Sequence, residues 1–162
     1  MDEYAVPIDV RFHDIDGQGH LNSAVYHSYA EHARWCHLRS LGVLPEDLRA
    51  GGVGPVLLES TIRYHREVRA GQTVRTTVAY EWAEPHRRTF VLRQAFLSED
   101  GTLAAEMESV CGLLDLRSRK LIPDPRAYLA GLSPAAHDAF GPLDALGALG
   151  ALGVAAGDGG AG

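Results

Sequence analysis

Val6, Ile8, Val10 and Phe12 alternate with Pro7, Asp9 and Arg11, a period of two that predicts a strand with one buried face. The proline suits an edge or the beginning of that strand. After a glycine-rich turn the period changes. Tyr26, Tyr29, Ala30, Ala33, Cys36 and Leu41 recur at three- and four-residue steps, while His27, Glu31, His32, Arg34 and Arg39 cover other directions. This predicts an amphipathic helix capped by Asn22 or Ser23, reaching about Leu41 and stopped by Gly42. Ala30 and Ala33 would let a sheet approach it closely. Pro45 and the Gly51–Pro55 run predict a loop, and four strands follow at about 55–67, 73–83, 87–98 and 102–116. Val74, Thr76, Val78, Tyr80 and Trp82 share one face of the second of these, and Phe90, Leu92, Gln94 and Phe96 one face of the next. Gly71, Pro85 and Asp100-Gly101 fall between strands as turn residues, so the four are expected to be consecutive antiparallel neighbours.

One strand, one long helix and four meandering strands predict an α+β fold in which an antiparallel sheet wraps a central helix. Residues 1–126 form the expected domain and 127–140 a short helical extension, with Ser133 capping a helix that has Pro134 in its first turn. Residues 141–162 collapse to Gly, Ala, Leu and Asp, a low-complexity tail expected to be disordered.

Composition narrows the partners. With 162 residues, 46% hydrophobic and 22% charged, the chain suits one globular domain, and its net charge of −6 argues against a broad nucleic-acid surface. The longest uncharged stretch, Ala145–Gly157, is too short and glycine-broken to span a bilayer. Met1–Tyr4 lacks the basic-then-apolar layout of a secretory signal, so a cytoplasmic protein is expected. Cys36 and Cys111 lie among apolar neighbours and are expected to be buried free thiols. The histidines and cysteines form no metal-ligand spacing, and no metal is expected.

The chemistry concentrates in Asp14-Ile15-Asp16-Gly17-Gln18-Gly19-His20-Leu21-Asn22, between strand and helix. A carboxylate can attack a carbonyl or take a proton from water, and amides of a helix's first turn can hold the oxygen that becomes negative. Asp16 supplies the first; amides near Asn22, Ser23 and Ala24 supply the second. Gly17 and Gly19 permit a tight backbone and close substrate approach. Each residue also has a plain structural reading: Asp16 as an Asp-Gly turn residue, Asn22 as a helix cap, His20 as a hydrogen-bonding turn residue. Local chemistry does not separate Asp14 from Asp16.

The order of these motifs and strands, over roughly residues 5 to 125, resembles the hotdog-fold acyl-thioester hydrolases of the 4-hydroxybenzoyl-CoA thioesterase-like branch. The resemblance implies Asp16 in the catalytic aspartate's place, Gly19-His20-Leu21-Asn22 as the Gly-His-x-Asn segment and Tyr26 at an aromatic position of the first helical turns. Gln18 stands where related carrier-protein thioesterases have asparagine, and Ser23 and Phe12 replace a histidine and a tyrosine of some relatives. The implied activity is hydrolysis of an acyl-CoA or acyl-carrier-protein thioester. No cofactor is implied beyond coenzyme A or phosphopantetheine within the substrate. A homodimer or homotetramer is implied, with Glu59 near the second copy's helix start, though a plain strand charge explains Glu59 as well. Arg63, His65, Arg66, Arg69 and Arg75 could meet coenzyme A phosphates, and a solvated strand face explains them equally. The alternatives are a hydratase or dehydratase of the same fold, whose Asp and His usually stand five apart, and a non-catalytic thioester-binding protein.

Overall fold

The computed structural model describes residues 4–82 and 87–141. β1 (Tyr4–Asp9) leads through a 3₁₀ turn at Phe12–Asp14 into α1 (Ser23–Ser40), followed by α2 (Pro45–Ala50). Then come β2 (Val53–Tyr64), β3 (Thr73–Trp82), β4 (Thr89–Leu97) and β5 (Leu103–Asp115), a two-residue β6 (Lys120–Leu121), α3 (Pro125–Ala130) and α4 (Pro134–Phe140).

The strands form one antiparallel sheet in the order β1-β3-β4-β5-β2, with β6 also on β5. β3, β4 and β5 are the expected neighbours. β2 is not beside β3: β1 occupies that side through pairs such as Val6↔Thr76, and β2 crosses the sheet to pair with β5. β2 thereby becomes an edge, and Leu57 and Leu58 beside its register shift are each about half exposed, at 51% and 52%.

The alternation of β3 and β4 is realised on the concave side, where Val74, Thr76, Val78, Phe90, Leu92, Gln94 and Phe96 are buried. α1 lies in this concavity with Tyr26, Tyr29, Ala30, Ala33 and Leu38 buried, and Ala33 has no exposed surface. Small side chains at 30 and 33 set the close approach, and the Gln94 amide donates 3.0 Å to the Ala30 carbonyl beneath the helix. The stripe passes from Ala33 to His37 and Leu38, so Cys36 lies beside it, half-buried and 3.5 Å from the His32 ring; of the two thiols only Cys111 is buried.

Two other expectations fail locally. Phe12 is 88% exposed because the strand ends at Asp9, and Asp14 captures the Arg11 amide and side chain to turn the chain. The loop at Pro45 is a helix, α2, started by a proline in its first turn and by Asp47 accepting from the Leu44 amide.

α3 and α4 arise from a cap-then-proline pattern at Asp124-Pro125 and Ser133-Pro134. They pack Leu129, Ala136 and Phe140 against Leu38, Val43 and Leu113 at the far end of α1. Apart from Gly141, the tail expected to be disordered lies outside the described residues.

Candidate active site

Asp14 and Asp16 stand two residues apart in opposite environments. Asp14 is 2% exposed and saturated: the Arg11 amide and Nε donate to Oδ2 at 3.0 and 2.9 Å, Arg11 Nη2 to Oδ1 at 3.0 Å, and Tyr29 Oη to Oδ2 at 2.8 Å. The Arg11 side chain above all, with Tyr29 and the Arg11 amide, holds this carboxyl far below the usual range, against the opposing effect of burial. It ties the strand exit to α1 and, buried under four donors, does not line the cleft.

Asp16 is half-buried and lies on a cleft. Its Oδ1 accepts the His20 and Gln18 amides at 3.1 and 2.8 Å, and these two bonds draw its pKa below 3.8. Oδ2 carries no hydrogen bond to a described residue. The loop closes through Asp16 N–H to the His20 carbonyl at 2.8 Å and Gly19 N–H to the Asp16 carbonyl at 3.0 Å, with Gly19 at φ +82°. That angle favours glycine.

The cleft holds about 420 Å³ and takes Asp16, His20, Leu21, Asn22, Ser23 and Tyr26 from one side. Tyr64, His65, Arg66, Glu67 and Val68 form the other, brought there because the Leu21 amide donates to the Val68 carbonyl at 2.7 Å. His20 Nε2 lies 3.1 Å from a Glu67 carboxylate oxygen, and Glu67 is held by Arg69 at 2.6 Å. Tyr26 is buried in the wall edge-on to Tyr64 and Phe96, its phenol pushed up to about 12 by burial and then by Tyr64.

The first turn of α1 divides its amides unequally. Asn22 N–H is used by the Asp14 carbonyl, Ala24 N–H by the Asn22 side chain at 2.9 Å, and Val25 N–H by the Asn22 carbonyl. Ser23 N–H has no partner among the described residues and lies at the cleft. The amide of Ala24 is therefore not free to hold an oxyanion as expected; that of Ser23 is.

The structure thus brings Asp16, His20, Asn22, Ser23 and Tyr26 together. Gly19 shapes the loop without lining the cleft, and Glu59 is exposed on β2 outside it. Glu67 and Tyr64 escaped the sequence reading because they reach the site through the 20–22/68 contact, which no local pattern announces. Among the described residues no group of three His, Cys, Asp or Glu side chains could hold a metal ion, and no helix is long and apolar enough to cross a membrane.

A curled antiparallel sheet around one long helix, with a carboxylate at that helix's N-terminus, defines a hotdog-fold protein. The thioesterase-like superfamily profile matches residues 10–132, and the chain belongs to that family. A DHNA-CoA thioesterase from Staphylococcus aureus superposes with a TM-score of 0.74 at 19% identity, covering 96% of this chain and 98% of that one. A 1,4-dihydroxy-2-naphthoyl-CoA thioesterase from Synechocystis gives 0.71 at 17% identity, covering 81% and 96%. A Staphylococcus aureus protein in complex with CoA gives 0.72 at 17%, covering 86% and 84%. No curated protein matches the chain.

Proposed function

We propose that this protein is an acyl-CoA thioesterase in which Asp16 is the nucleophile or the general base. The observation that carries the reading is the pairing of an unsaturated Asp16 Oδ2 with an unpartnered Ser23 N–H on one cleft. In the general-base form Asp16 takes a proton from water and the hydroxide adds to the thioester carbon. Negative charge then grows on the carbonyl oxygen at the Ser23 amide and the positive end of α1. Collapse breaks the C–S bond, and the thiolate leaves and is protonated, giving a free acid and a thiol. In the nucleophilic form Asp16 adds to the same carbon, the C–S bond breaks and the thiolate leaves and is protonated, and water then cleaves the resulting anhydride to give the free acid and restore Asp16.

His20, held by Glu67, and Asn22, through its cap on Ala24, shape the loop that presents Asp16. The His20–Glu67 contact and the Asn22 cap hold the carboxylate and the donor in register, which is what positioning contributes to rate. The substrate is read as an acyl thioester of coenzyme A or a carrier protein, with no resident cofactor, in a cytoplasmic homodimer or homotetramer. The unpaired edge of β2 and its exposed Leu57 and Leu58 support pairing with a second copy.

The test is release of free thiol from a panel of acyl-CoAs. Asp16→Asn is expected to lower kcat by about 10³-fold or more, because the amide can neither attack nor accept the proton. Unchanged hydrolysis in this variant would remove Asp16 from the mechanism. Hydration of an enoyl thioester without thiol release would replace hydrolysis by the hydratase reaction.

A further inference from the structure

A second recess lies beneath α1, bounded by His27, Glu31 and Arg34 above and by Leu57, Gln94 and Ser109 of the sheet. Its volume is about 290 Å³, enough for more than solvent alone. Arg34 dominates it electrostatically. The Arg34 side chain is 16% exposed, and its Nε is fully buried with no hydrogen-bond partner among the described residues. Glu31, on the rim of the same recess, is its nearest carboxylate, 3.6 Å from Nη2; it is 63% exposed and leaves Nε unmatched. Glu31 is thus its one anionic partner among the described residues: the Cys111 thiol, which contacts the guanidinium, and the Tyr80 phenol near it are both kept neutral by burial. Arg34 lines the recess, and a guanidinium only partly offset by an exposed Glu31 can donate there to a further anionic oxygen.

Two neutral groups complete the pattern. The Gln94 amide nitrogen is committed to the Ala30 carbonyl, which fixes the side chain, and Ser109 is buried on the adjacent strand, its hydroxyl making no hydrogen bond to a described residue. We infer that this recess binds a carboxylate at the far end of the acyl group, so that the substrates are mono-thioesters of dicarboxylic acids, with Arg34 as the specificity-determining residue.

This rests on the thioesterase reading and adds the class of acyl group. The geometry fits a shared site. Along α1 the cleft ends at Tyr26 and the recess begins at His27; along β2 the cleft meets Tyr64 and the recess Pro55 and Leu57. A copy paired antiparallel on the free edge of β2 sets its Tyr64 end beside this Pro55 end. Each recess then receives the acyl end of a thioester held in the other copy's cleft.

Binding separates this from turnover. Three non-hydrolysable thioethers are titrated calorimetrically against the full chain: S-(4-carboxybutyl)-CoA, S-pentyl-CoA and S-(5-hydroxypentyl)-CoA. The carboxylate is expected to bind about tenfold more tightly than either neutral probe, the scale of one charge-assisted hydrogen bond. Arg34→Met is expected to bring the three affinities within about twofold, and Arg34→Lys to keep part of the preference. Equal affinities in the unsubstituted protein, tighter binding of a neutral probe, no binding of any probe, or a preference surviving in a folded Arg34→Met would each overturn the assignment. The comparison in the unsubstituted protein decides even where the variants do not fold. Thiol release from glutaryl-CoA and pentanoyl-CoA tests the thioesterase reading separately, since its absence leaves the binding preference intact.

Discussion

Tyr29 Oη donates a 2.8 Å hydrogen bond to Asp14 Oδ2 across 15 positions of the chain, so the second turn of α1 is bolted to the segment that carries the site loop. The same carboxylate holds Arg11, and its residue's carbonyl accepts the Asn22 amide at the helix start. Asp14 therefore fixes where α1 begins relative to Asp16. Asp14→Asn is expected to destabilise the fold by about 1–2 kcal/mol, the scale for weakening the hydrogen bonds of a buried carboxylate whose Arg11 partner is itself exposed, and Tyr29→Phe by about 1 kcal/mol. Urea unfolding of both variants checks the order and size.

The same network sets an acid limit. The folded pKa of Asp14 lies far below its ordinary 3.8, so the stability it contributes is fully present above 3.8 and is lost as pH falls toward the folded value. Unfolding free energy is expected to fall between about pH 4 and 2 in the native protein, with that slope reduced in Asp14→Asn. Denaturant midpoints measured across this range test it; parallel slopes would place the acid sensitivity elsewhere.

Much of this architecture was legible because burial imposes a period. Tyr26, Ala30 and Ala33 announced α1, and Val74 to Val78 and Phe90 to Phe96 announced strands with one face on it. Strand order was not legible, since β1 and β2 both present apolar positions and only competition for the side of β3 decides between them. Asp14 and Asp16 look alike in sequence; Arg11 and Tyr29 distinguish them by saturating one, and Tyr29 is fifteen residues away. Glu67 reaches His20 only after the Leu21–Val68 backbone bond forms, so its place in the site is tertiary information.

The far end of α1 depends on a cap shared between elements. Ser133 Oγ accepts the Ala136 amide at 2.9 Å and donates to the Leu41 carbonyl, joining α4 to the end of α1. Ser133→Ala is expected to cost about 1–2 kcal/mol, one lost cap and one unmatched carbonyl, without affecting the distant cleft. A thermal shift with an unchanged KM for any hydrolysed thioester is the expected result.

Asn22 offers the sharpest division between a structural and a chemical role. Its side chain caps α1 by accepting the Ala24 amide, and the neighbouring Ser23 N–H is the donor left for the cleft. Asn22→Asp keeps an equally good cap and adds a charge that the helix dipole favours, so the melting temperature is expected to hold or rise. That same anion, one residue from Ser23, opposes the growth of negative charge on the substrate oxygen, and kcat is expected to fall about tenfold or more. Asn22→Ala should instead lose about 1 kcal/mol of helix stability and, adding no charge beside Ser23, cost turnover less than Asn22→Asp, through the loosened register of the loop alone. Thermal unfolding and thiol release measured on both variants decide the matter: if Asn22→Asp turns over thioester at the native rate, Asn22 acts as a cap alone and the oxyanion does not sit at Ser23.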